Sequence, residues 1–166
     1  APMTLPDDDP EAAIDDARLT RKALSAVSQG VVVCDPHERM LSVNPAFVAM
    51  TGYSMRELIG QTCAVLVGPD TDHTTLAAMH TARAAGQRFQ GEIQYYRKDG
   101  SAFWCELSID AVRGDDGRLT HFLATLRDIN ERRSQLAEIQ LAANVFALGH
   151  EGIVITNARG DILMVN

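Results

Sequence analysis

The chain has 166 residues, 46% of them apolar, and a formal charge of −7. That is room for one domain with a core plus flanking helices, and the absence of a basic stripe argues against nucleic acid as a partner. No apolar run reaches the ~18 residues of a membrane helix, no signal peptide is visible, and three widely spaced cysteines (Cys34, Cys63, Cys105) argue against a disulfide framework or structural zinc. A reducing cytoplasm is the expected compartment. The start at Ala1 reads as a piece of a longer parent, whose membrane anchoring stays open.

Residues 1–16 carry Asp7, Asp8, Asp9, Glu11, Asp15 and Asp16 and no base, so an acidic, disordered tail is expected. The remaining residues hold 15 bases against 16 acids. Residues 17–28 place Leu19, Ala23, Leu24 and Val27 on one side of a flanking helix. Two apolar β-runs and a polar turn follow in 29–44, the pattern of a hairpin. Asn44 caps a helix over 45–51 with Pro45 at its first position, and Gly52-Tyr53 stops it. Ser54-Met55-Arg56-Glu57 is a capping box for a one-turn helix ending at Gly60. Thr62–Leu66 reads as another short turn of helix. Thr71 or Asp72 caps a longer helix to about Ala85, closed by Gly86.

Three strands come next, Phe89–Tyr96, Ala102–Val112 and Leu119–Asp128, separated by the turns Arg97-Lys98-Asp99-Gly100 and Arg113-Gly114-Asp115-Asp116-Gly117. Residues 130–150 form a helix and linker. Ile129, Leu136, Ile139, Ala143 and Phe146 fall near a and d heptad spacing, with Arg132 the polar member. An amphipathic helix lying on the sheet and a dimeric coiled coil both fit that pattern. Residues 151–166 align with 29–44 without a gap at an offset of 122, with Gly30/Gly152, Val32/Val154, Leu41/Leu163, Val43/Val165 and Asn44/Asn166 identical. A period that long means tandem domains rather than a solenoid. The predicted fold class is α+β, a five-stranded antiparallel sheet with short helices on one face and flanking helices at both ends.

Strand alternation turns Phe89, Gly91, Ile93 and Tyr95 to the helices. Phe103, Cys105, Leu107 and Ile109 join them from the next strand, and Phe122, Ala124 and Leu126 from the last. Trp104, Glu106 and Ser108 face the other way. The enclosed space is apolar with a few polar points, as small-ligand sites usually are.

The order of elements over about 24–129 resembles the PAS fold. Gly60-Gln61-Thr62-Cys63-Ala64-Val65-Leu66-Val67 followed by Gly68-Pro69-Asp70-Thr71-Asp72 resembles the motif of the light-oxygen-voltage (LOV) branch, Gly-x-Asn-Cys-Arg-Phe-Leu-Gln with Gly-Pro-Asp/Glu-Thr-Asp behind it. The resemblance implies a sensor domain over 29–129 in which Cys63 bonds to a photoexcited flavin. It also implies that residues 151–166 are the first hairpin of a second PAS domain. Arg127-Asp128-Ile129-Asn130-Glu131-Arg132 is similar to the segment that ends PAS domains and starts a signalling helix.

Position by position, the family's glutamine after the cysteine is Val67, and its two asparagines are Tyr95 and Cys105. Its switching glutamine is Leu126, and its two phosphate-binding arginines are Ala64 and His80. Thr62 and Tyr95 offer hydroxyls, Leu107 offers wall, and Arg83 offers a substitute phosphate contact. The resemblance therefore implies a flavin, FAD in preference to FMN, sensed by redox state or light. Gln90-Gly91-Glu92-Ile93 and Tyr96-Arg97-Lys98-Asp99-Gly100 also resemble FAD-binding redox PAS domains. The expected partners are a second copy, through the flanking helices, and a kinase or cyclic-di-nucleotide output domain. Two alternatives stay open: a haem sensor with His73 or His80 as axial ligand, and a ligand-free dimerisation module. No nucleophilic triad, phosphate loop or paired carboxylates appear, so a sensory input rather than an enzyme is expected.

Overall fold

The computed structural model describes residues 22–148, 154–157 and 159–165. The expected tail 1–16 and the first part of the flanking helix, 17–21, lie outside the described residues. So do linker residues 149–153. The chain divides into two compact units, Ala1–Asp128 and Ile129–Asn166.

The first unit opens with a helical turn, α1, at 22–26. Its sheet has the order β2-β1-β5-β4-β3, from β1 (Gly30–Cys34), β2 (Met40–Val43), β3 (Phe89–Tyr96), β4 (Ala102–Arg113) and β5 (Leu119–Asp128). All neighbours are antiparallel. This is the expected α+β architecture. Register brings the inward residues opposite one another: Ile93 with Cys105, Tyr95 with Phe103, Leu107 with Leu126, Ile109 with Ala124. All eight are buried.

Between β2 and β3 run α2 (Pro45–Thr51), α3 (Met55–Leu58), a 3₁₀ turn (Cys63–Leu66) and α4 (His73–Ala84). They pack on β1, β2 and β3. Phe47, Leu58, Leu66 and Met79 seal the core from the helical side. Each fully buried chain of this size contributes about 1.5–3 kcal/mol.

Capping fixes where these helices begin. Asn44 accepts from Val31 N (2.8 Å) and Phe47 N (3.0 Å) and donates to Leu24 O and Gln29 O. One buried amide thus ties α1, β1 and α2 together. Glu57 accepts from the backbone N–H and hydroxyl of Ser54, closing the expected box. It also meets Lys98 Nζ at 2.6 Å. The Lys98 ammonium, then the Ser54 bonds, hold its carboxyl down to about 2. Asp72 caps α4 by accepting from Thr74 N and Thr75 N.

The segment Gly68–Asp72 is a clasp on β3. Thr71 is buried, and its hydroxyl donates to Gln94 O (2.8 Å) while accepting from Gly68 N (3.0 Å). Tyr96 donates its hydroxyl to Asp70 (2.8 Å). A Cβ on Gly68 would stand 2.2 Å from the Tyr96 ring. This half of the LOV-like motif is therefore scaffold.

The second unit holds α5 (Asn130–Leu148) and a hairpin of β6 (Val154–Thr156) and β7 (Ile162–Val165). That hairpin repeats the first one bond for bond. Val32 pairs with Val43, and Val154 with Val165; the register slips between Val33 and Cys34, and between Ile155 and Thr156. Asp35 N donates to Arg39 O, and Asn157 N to Asp161 O. Glu38 N donates to Asp35 O, and Gly160 N to Asn157 O. The left-handed corner is Glu38 (φ 67°) in one copy and Gly160 (φ 89°) in the other.

Candidate functional site

Between the sheet and the helices of the first unit lies a small cavity with about 20 Å³ of free space. It is lined by Cys34, Glu38, Cys63, Arg83 and Tyr95, over a floor from β4 and β5 that includes Leu107, Phe122 and Leu126. That space holds about one water-sized molecule.

Local pairing explains how Cys34 and Cys63 meet. Cys34 lies opposite Met40. Met40 exchanges backbone bonds with Gln61 O and Gly60 N, and Arg39 bridges Thr62. The chain entering the 3₁₀ turn therefore runs beside the start of β2 and delivers Cys63 toward Cys34. Hydrogen bonding between the two thiols lowers Cys63 and raises Cys34, and burial adds to the rise at Cys34. The Arg83 guanidinium favours the Cys63 thiolate further. Of the two, Cys63 is the thiol that ionises more readily, and Cys34 the one that keeps its proton.

Arg83 is buried, pairs with Glu38 at 2.5 Å and donates to Met79 Sδ at 3.1 Å. Glu38 reaches it from a positive-φ backbone, a conformation that costs a non-glycine residue roughly 1–2 kcal/mol. Tyr95 is buried with its hydroxyl 4.0 Å from Met79 Sδ, and burial holds it protonated.

Of the residues singled out from sequence, Cys63, Arg83, Tyr95, Leu107 and Leu126 line the cavity. Four do not. Thr62 caps the 3₁₀ turn with its backbone, and Val67 ends that turn, exposed. Cys105 is packed in the core opposite Ile93, where burial pushes its thiol up to about 12. His80 is exposed on α4, 3.7 Å from Glu38. His73 is exposed as well, at the first residue of α4. Neither histidine lines the cavity, so the haem alternative is withdrawn. Arg83, expected as a phosphate contact, is turned inward onto Glu38.

Sequence reasoning missed Cys34 and Glu38. Alternation along β1 puts Cys34 on the side of the buried Val32, but nothing local links it to Cys63. Glu38 did leave a signal: it aligns with Gly160 in the repeat, so a glutamate stands where the other copy has glycine.

The PAS domain family model matches residues 28–131. Phototropin-2 of Oryza sativa subsp. japonica is 34% identical over 127 residues, 75% of this chain and 14% of that protein. Blue-light-activated histidine kinase 1 of Erythrobacter litoralis is 30% identical over 160 residues, covering 88% of this chain and 44% of its own. Among solved structures, an RNA-binding Light-Oxygen-Voltage receptor aligns over 91% of this chain and 44% of its own, with 33% identity and a TM-score of 0.68. The chain spans less than half the length of each of these. With a family match over more than half its residues and a five-stranded sheet of PAS order, the chain belongs to the PAS domain family.

Proposed function

We propose that this chain is the sensory input of a longer signalling protein of the LOV type, and that its cavity takes a flavin. One observation carries the reading: Cys63, at the position of the family's reactive cysteine, stands with Arg83 over an apolar floor. The similarity to blue-light receptors supports it. A flavin in that place supplies blue-light absorption and two-electron redox chemistry. Cys63 brings a thiol whose ionisation the Cys34 thiol and Arg83 ease, Leu107 and Leu126 floor the site, and Tyr95 contributes a hydroxyl.

The fit is partial. No buried side-chain polar atom among the described residues lacks a hydrogen-bond partner, so none is left over to read the ring's amide edge. A ring system needs a site of about 300 Å³ or more. Against the present 20 Å³, the elements around the cavity must move apart to admit it. FAD remains the preferred flavin. Arg83 is the arginine of α4, and Glu38 already holds it, which disfavours a terminal-phosphate anchor.

In this reading residues 29–129 are the sensor, and 130–150 relay its redox or light state to an output domain. Residues 151–166 begin a second PAS domain, as the matching hairpin bonds support. Leu136 and Ile139 are exposed at heptad spacing, which supports pairing of α5 with a second copy. The cytoplasm is the proposed compartment. The second reading is a ligand-free PAS module acting through dimerisation, favoured by the small size of the cavity.

An absorption spectrum after incubation with FMN or FAD tests the proposal. A bound flavin band, changed by blue light in the native protein and unchanged in Cys63→Ala, is expected. A protein that stays colourless with both flavins leaves the second reading.

A further inference from the structure

We propose that Cys34 and Cys63 form a peroxide-oxidised dithiol/disulfide switch within the sensor domain. Both thiols line one cavity together with Arg83, and the backbone pairing of Met40 with Cys34 on one side and with Gly60 and Gln61 on the other brings their two segments side by side. Cys105, the third thiol, is packed in the core opposite Ile93 and outside the cavity lining. The pair is also asymmetric, with one partly buried nucleophile and one buried partner that follows it. The cavity leaves room only for a very small oxidant, and hydrogen peroxide is of that class.

The exchange balances without a cofactor. The Cys63 thiolate attacks one peroxide oxygen, the O–O bond breaks, and hydroxide leaves and takes up a proton. Cys63 is now a sulfenic acid. The Cys34 sulfur attacks that sulfur, the S–O bond breaks, and the departing hydroxide leaves as water with the Cys34 proton. Two thiols give up two electrons, peroxide accepts them, and a small dithiol such as dithiothreitol reverses the step. Where a flavin is bound, the same disulfide withdraws the thiol that photochemistry needs.

The test is made on the whole reduced chain. It is treated with hydrogen peroxide, its free thiols are blocked under denaturing conditions, and it is analysed by intact mass and peptide mapping. The expected result is a loss of about 2 Da, a Cys34–Cys63 link, and Cys105 as the one blocked thiol. Dithiothreitol restores three. Cys105→Ser keeps the link, whereas Cys34→Ser lets Cys63 gain oxygen instead. Oxygenated Cys63 with no link in the native chain, a link through Cys105, or links only between chains overturns the proposal. The outcome is independent of flavin. A colourless protein that forms the link loses the flavin reading and keeps this one, and a flavin-loaded protein that does not form it does the reverse.

Discussion

Asn44 shows how much one polar side chain settles. It is 5% exposed, and its four hydrogen bonds reach a helical turn, a strand and a helix. Asn44→Ala removes a cap and leaves the Val31 N–H without its partner, so a loss of about 2–4 kcal/mol in urea unfolding is expected. Its capping role was legible in Asn44-Pro45. The bonds to Leu24 and Gln29 were not, because no periodicity connects residues so far apart in sequence. Glu57 gives a pH test at the same scale. Its folded carboxyl sits near 2, below the ordinary value of 4.5. Its contribution is therefore complete above about pH 4.5 and disappears as pH falls toward 2. Urea midpoints for the native protein and Glu57→Gln should differ at pH 7 and converge near pH 2. The gap should be small, because the group faces solvent.

At the level of elements, patterns with a strict period were readable. β3 and β5 begin and end where alternation and turn residues put them, and β4 runs one residue further, to Arg113. The Gly68–Asp72 motif was readable as a motif but not as a clasp, since its partners Gln94 and Tyr96 lie on another element. The site was less legible for the same reason: cavities are made by neighbours across elements, and sequence spacing carries no trace of the meeting of Cys34 with Cys63. Pairing of α5 belongs to this class too, because about two and a half heptads are too short to specify a partner. Leu136 and Ile139 are 55% and 66% exposed. If α5 pairs with a second copy, sedimentation of the native chain shows a concentration-dependent dimer. Leu136→Asp with Ile139→Asp should shift it to monomer with the sheet's circular dichroism unchanged. A native chain that stays monomeric at high concentration removes the coiled-coil reading.

For the molecule as a whole, the switch and the fold act on one connection. Cys34 ends β1 in the sheet, and Cys63 opens the 3₁₀ turn on the helical side. In the reduced state the Arg39–Thr62 bridge and the bonds of Met40 to Gly60 and Gln61 hold those layers together at this edge. All of these are backbone contacts, which can open locally at small cost. A disulfide there closes a loop of about 30 residues and removes up to about 3–4 kcal/mol of unfolded-chain entropy, less whatever strain the native geometry takes up. The oxidised protein should therefore resist urea better than the reduced one. Cys105→Ser should keep that difference, and Cys34→Ser should abolish it. The same tie restrains the movement by which the cavity would widen to admit a ring. Peroxide-treated protein should consequently take up less added flavin than reduced protein, with dithiothreitol restoring uptake in step with the lost disulfide. Equal uptake in both states would mean that the pocket opens elsewhere, through Tyr95 and α4, with the cysteine edge left as it stands.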